Sequence, residues 1–183
     1  MSMLTMALGQ VFFERIARLK NNKAESSQMA HELFNIMYLL AVIPVVVLAV
    51  WGDKIAPFVL GVQWEEAGVY IQITILFYFA MFMTSSFSSA FATYDKLKIQ
   101  LAYNTLFLIA TTSALYLGYT IGGSTRVALA WFTVVGTTLR VGILNYFFVL
   151  FGKNLIAKTI FAIVLTGALI YLGFGIKEGF ITS

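Results

Sequence analysis

The sequence predicts an all-α fold: a polytopic membrane helix bundle of about five complete transmembrane helices, preceded by the end of another. Three observations carry this. The chain is 60% hydrophobic and only 11% charged, with a mean hydropathy of +0.88, whereas soluble domains are about a quarter charged. The apolar residues fall in runs of about 20, the length that crosses roughly 30 Å of hydrocarbon as a helix. Lysine and arginine are concentrated on alternate sides of those runs, as the positive-inside rule requires of a multi-pass chain.

Taken in order, residues 1–13 are apolar but too short to span, and they run into a basic segment over 14–23 with Arg15, Arg18, Lys20 and Lys23. Positive charges follow the apolar stretch instead of preceding it, which is not a signal-peptide arrangement. The pattern resembles the last turns of a membrane helix emerging into the cytoplasm, so the chain is expected to be a fragment that begins within a helix. Residues 25–32 read as a polar loop in which His31, the only histidine, is solvated and has no partner.

The first crossing is expected over 33–51, kinked at Pro44, whose ring removes a backbone donor. A loop over 52–67 follows, with Trp51 and Trp64 as interfacial anchors and Pro57 as its punctuation. The second crossing, 68–92, has a hydroxyl-rich end at Thr84, Ser85, Ser86, Ser88 and Ser89, which reads first as a helix-packing surface. It closes in a charged turn at Asp95, Lys96 and Lys98. The third crossing covers 99–119 and a Gly122-Gly123 turn leads to the fourth, 127–151. A turn with Lys153 precedes the fifth, 158–176, and 177–183 forms a short polar tail.

Alternate loops differ in basic charge. One side holds Arg15, Arg18, Lys20, Lys23, Lys96, Lys98, Lys153 and Lys158; the other holds Lys54, Arg126 and Lys177. The imbalance puts the N-terminal segment in the cytoplasm and the C-terminus outside. Other classes lose support. There is no cysteine, so thiolate metal sites and disulfides are absent. No phosphate-cradling glycine loop, metal-spaced His/Asp cluster or nucleophile motif is present, so neither an enzyme nor a cofactor or metal is expected. The basic run from Arg15 to Lys23 is too sparse for nucleic acid and is explained by topology and anionic lipid.

Arg140 is the sharpest single residue. It lies near the middle of a crossing, while all eight acidic residues fall outside the five spans. A charge at that depth is costly and faces a protein interior or an aqueous cavity. Helical spacing places Thr133, Gly136, Thr137 and Leu144 on its face. One reading makes Arg140, with Thr137 beside it, a cation that contacts an anionic substrate; the other pairs it with a carboxylate or carbonyls of a helix outside the chain. Asn35, Asn104 and Asn145 are intramembrane amides that suit either sugar hydroxyls or helix-to-helix hydrogen bonds.

At Gly9-Gln10-Val11-Phe12-Phe13, and again from Leu60-Gly61-Val62-Gln63-Trp64 to Glu65-Glu66-Ala67-Gly68, the chain resembles the C-terminal half of bacterial oligosaccharide and polysaccharide flippases of the MOP exporter superfamily. The order is a G-x-V-F-F-like helix end, a basic loop, a helix, an F-G-x-x-W-x-x-A-G-like loop, and a helix with a serine-rich end and charged turn. These motifs cover residues 8–105, with Leu60 standing where that family usually has phenylalanine. The resemblance implies that 1–183 is a single membrane domain, one lobe of a two-lobed transporter in the bacterial cytoplasmic (inner) membrane. Such proteins translocate undecaprenyl-diphosphate-linked oligosaccharide repeat units for surface polysaccharide biosynthesis. The implied partners are membrane lipids, the lipid-linked substrate, and the N-terminal lobe or a second copy. A non-catalytic membrane subunit, or a polymerase or acyltransferase of the same pathway, is the alternative.

Overall fold

The computed structural model describes residues 22–85, 87–88, 90–151 and 156–181. The expected basic segment up to position 21, the Gly9 motif and the turn at Lys153 lie outside the described residues. The elements are α1 (Lys23–Leu60), a 3₁₀ turn (Val62–Trp64), α2 (Glu65–Ser85), the single turn α3 (Ala90–Thr93), α4 (Leu97–Gly122), α5 (Thr125–Leu150) and α6 (Ile156–Ile181). Among the described residues all regular structure is helical. Four stretches, Ala24–Leu60, Val62–Thr93, Leu97–Gly122 and Thr125–Leu150, are long and apolar enough to cross a membrane, and α6 contributes the shorter apolar segment Ala162–Gly173. This is the build of a multi-pass membrane protein.

The helix α1 corrects the sequence reading at both ends. Residues 25–32 are helical: Asn22 caps α1 by accepting from the Glu25 N–H at 3.4 Å, and its amide donates to Glu25 Oε1 at 2.7 Å, a reciprocal cap that starts the helix early. His31 lies on this helix, half-buried, and engages a neighbour. At the other end the expected loop over 52–67 shrinks to a few residues, because α1 runs through both Pro44 and Pro57 to Leu60. It stops at Gly61, whose φ of 102° a side chain would resist, and whose N–H bonds the Pro57 carbonyl at 2.9 Å. At 38 residues and 1.5 Å per residue, α1 is about 57 Å long and outreaches the hydrocarbon core.

The second expected crossing is broken. Within α2, Thr84 Oγ1 donates to the Ala80 carbonyl at 2.9 Å and Ser85 Oγ to the Phe82 carbonyl at 2.9 Å. Beyond it, Ser88 Oγ donates to the Ser85 carbonyl at 2.7 Å. The helix α2 ends at Ser85, within this cluster of hydroxyls bonded back to the chain's own carbonyls. The chain resumes as α3, then closes by a Schellman turn: Lys96 N–H bonds the Phe91 carbonyl at 2.7 Å and Asp95 N–H the Ala92 carbonyl at 3.2 Å, with Asp95 at φ 56°. The tail expected from 177 is helical to Ile181.

The helices pack in the order α6–α1–α2–α5–α4, each on its neighbour. Small residues make the seams. A Cβ on Gly68 of α2 would strike the Gly52 carbonyl of α1; one on Gly136 of α5 would come within 2.8 Å of the Phe77 ring of α2. Gly118 of α4 meets the Ala128 backbone of α5, and Gly173 of α6 meets Val50 of α1. Without a hydrophobic drive between helices in lipid, such close approach is what holds them.

The two ends of the bundle differ. At the basic end, Phe87 is fully buried among Phe147, Phe148 and Phe151, with centroids 5.7 to 6.3 Å away. At the opposite end, Lys177 Nζ donates to both Asp53 oxygens at 2.8 and 2.9 Å and to the Val50 carbonyl at 3.0 Å. Gln72 Nε2 adds bonds to that same carbonyl at 3.0 Å and to Asp53 Oδ1 at 3.1 Å. This network ties α1, α2 and α6 together. The Glu66–Arg126 pair nearby, at 3.9 Å between exposed side chains, contributes little.

Lys177→Met should strand a mostly buried carboxylate and lower stability by up to about 3 kcal/mol, read as the thermal midpoint in detergent. Adding Asp53→Asn should restore part of the loss. An unchanged midpoint in the single variant would show that the network does not hold α6.

Candidate functional site

The helix α5 begins cleanly because Gly123 takes a left-handed conformation (φ 62°) after α4, and Ser124 then accepts from the Arg126 N–H at 3.3 Å. One face of α5 carries Thr133, Gly136, Thr137, Arg140 and Leu144. Gly136 lets the Phe77 ring of α2 press against the backbone. Thr137, Arg140, Val141 and Leu144 form one wall of a cleft whose other residues come from three helices. Phe34 and Tyr38 of α1 and Leu76, Phe79, Ala80, Met83 and Thr84 of α2 form its floor; Thr159, Ala162, Ile163 and Thr166 of α6 form the far wall. The helices α5 and α6 barely touch, so the cleft lies between them and holds about 90 Å³ of free space.

Its hydroxyls are mostly occupied. Thr166 Oγ1 donates to the Ala162 carbonyl at 2.8 Å, and the Tyr38 hydroxyl lies 3.2 Å from Thr166 Oγ1 and 3.4 Å from the same carbonyl. Thr84 bonds back to its own helix. The face of Arg140 is different. Thr133 Oγ1, Thr137 Oγ1 and Arg140 Nε are all buried without a hydrogen-bond partner among the described residues. Their neighbour Thr138 does bond back, to the Val134 carbonyl at 2.7 Å, as a helical threonine ordinarily does. Unsatisfied polar atoms in an apolar interior are costly, and three of them fall on this one face of α5.

Electrostatically, Arg140 pairs with no carboxylate among the described residues. Its guanidinium lies over the Phe107 ring of α4, with Cζ 4.6 Å from the centroid, so an aromatic face attracts the charge where no carboxylate among the described residues does. Such a contact is worth about 2 kcal/mol when desolvated. Among the described residues no three His, Cys, Asp or Glu side chains gather into a metal site.

Of the five candidates from sequence, Thr137 and Arg140 are brought to one cleft. Asn145 lies on α5 outside the cleft, with its Oδ1 buried and unpaired. Asn35 on α1 and Asn104 on α4 are exposed and apart from it, and Asn35 has a partner. Sequence reasoning did not single out Tyr38 or Thr166, and it treated Thr84 as packing. Their signal was a hydroxyl deep within an apolar run, which is shared by too many positions here to discriminate.

Thr133→Val should raise the thermal midpoint, because a buried hydroxyl without a partner costs about 1–3 kcal/mol that the isosteric methyl removes. A lowered midpoint would mean that the hydroxyl is satisfied by a bound molecule. Comparison of the chain with protein-family models, with curated proteins and with solved structures gave no match.

Proposed function

We propose that this chain is one lobe of a transporter that moves undecaprenyl-diphosphate-linked oligosaccharide or polysaccharide repeat units across the bacterial cytoplasmic membrane. The observation that carries the reading is an apolar cleft between four helices bordered by an arginine without a counter-ion among the described residues. An isoprenoid diphosphate has both matching parts: a long hydrocarbon that an apolar wall receives, and a phosphate anion two of whose oxygens a planar guanidinium grips with parallel bonds. The resemblance of the Gly9 and Leu60–Gly68 stretches to oligosaccharide flippases points the same way. Alternating access needs a second lobe packed against this one, from the same protein or from a second copy. The exposed apolar faces of α4 and α6, such as Leu101, Leu108, Val164 and Leu172, leave room for lipid and for that lobe. They also favour a second reading, a membrane subunit without transport activity that assembles with a larger partner.

In this reading five helices cross, and the end of the bundle at Lys96 and Lys98 faces the cytoplasm while Lys54, Arg126 and Lys177 lie outside. The chain has no cysteine, so single cysteines report topology directly. A cysteine at Lys96 should be protected from impermeant reagent in intact cells and one at Gln63 labelled; the reverse pattern would sink the orientation.

Arg140→Ala in the complete transporter should cut glycan export roughly tenfold or more, the loss of one charge-assisted contact, with protein level unchanged. Arg140→Lys should restore it only in part, because an ammonium lacks the two-pronged geometry. Disappearance of the protein from the membrane in both variants would make Arg140 a structural residue and remove the support for this function.

A further inference from the structure

Arg140 enters the cleft with its stem and leaves it with its head. The surface of the cleft is almost wholly apolar although Arg140 is among its lining residues. The guanidinium instead lies on Phe107, which is on α4 and does not line the cleft. That ring is itself fixed: Phe107 stacks on Phe77 at 6.2 Å and 21°, and Phe77 meets Phe132 edge-on at 4.7 Å. The glycine at 136 gives Phe77 the room to stand there.

In a low-dielectric interior the choice of partner decides whether a cation remains usable. A carboxylate in contact would hold the guanidinium so strongly that an incoming anion would have to strand it, at a large desolvation cost. A ring face attracts the cation much less and is not left charged when the cation departs. The pairing seen here is therefore reversible where an ion pair would not be.

We propose that Phe107 is a positioning residue that parks the Arg140 guanidinium outside the cleft and yields it to the phosphate of an amphiphilic anion when the cleft fills. The inference rests on the cleft as the binding site for such an anion. A rotation of one side chain then converts the cleft from an almost wholly apolar surface to an anion-binding one. Ring and ligand compete for the same guanidinium.

Competition gives the test a definite sign. Farnesyl diphosphate would be titrated calorimetrically onto the whole purified chain in neutral detergent, with each variant's thermal midpoint recorded. Phe107→Leu should bind about tenfold tighter, since the competing ring face is gone, and Phe107→Trp should bind more weakly, since indole holds cations best. In an Arg140→Gln background the same changes at 107 should have no effect. If Arg140→Gln abolishes binding but Phe107→Leu matches the parent protein or binds more weakly, the parking role is overturned and the cleft reading stands. If Arg140→Gln binds as well as the parent, the cleft reading falls, and the parking role with it. Inorganic diphosphate binding as tightly as farnesyl diphosphate would overturn the amphiphile. Should Phe107→Leu fail to fold, Phe107→Trp decides alone: weaker binding supports the proposal, equal or tighter binding refutes it.

Discussion

Two backbones in contact at Gly52 and Gly68 set the geometry that the rest of the bundle inherits. Any side chain at position 68 would collide with the Gly52 carbonyl, so α1 and α2 meet at a distance only glycine permits. The next residue along α1 is Asp53, which the crossing places at the seam. There Gln72 of α2 and Lys177 of α6 converge on it, and a third helix is located by the first two. Phe77 on α2 then seats against Gly136 of α5, and Ala128 on α5 against Gly118 of α4. Each seam in the series contains a glycine, as expected where apolar surface alone gives no reason for helices to prefer one another over lipid.

The polar groups divide between the ends and the middle in a physically consistent way. The Asp53–Lys177 pair is largely withdrawn from solvent, with 23% and 14% of the side-chain surfaces exposed, and it is supported by additional hydrogen bonds from Gln72 and to Val50. A desolvated pair needs such support to offset its own burial. The opposite end is held by aromatic packing around Phe87, where ring pairs add about 0.5–1.5 kcal/mol each beyond their burial. Between these two ends Arg140 has neither an ion pair nor a hydrogen bond at Nε among the described residues, only the face of Phe107.

The helices α4 and α5 were legible almost to the residue. The expected 99–119 and 127–151 became Leu97–Gly122 and Thr125–Leu150, since Gly123 and Ser124 are strong stop and start signals. Helix α1 outruns the sequence expectation because Pro57 does not interrupt it; Gly61, which cannot continue a helix at its φ of 102°, is the boundary. The second crossing was misread in the opposite direction. Its hydroxyls read as a helix-to-helix surface, whereas in the structure Thr84, Ser85 and Ser88 bond back to carbonyls of their own segment and α2 ends at Ser85.

What the sequence by itself determined was the presence of several long apolar helices, their alternation with basic ends, and the isolation of Arg140 within an apolar run. These are one-dimensional properties: run length and charge position need no knowledge of neighbours. Only the tertiary structure decided which faces meet. Helices that are apolar all round carry no stripe to announce their partners, so Asp53 and Lys177, 124 residues apart, could not be paired by pattern. Nor could the ring under Arg140 be chosen among seventeen phenylalanines. That choice depends on where Gly136 admits Phe77 and Phe77 in turn supports Phe107, a sequence of steric contacts that exists only once the helices have packed.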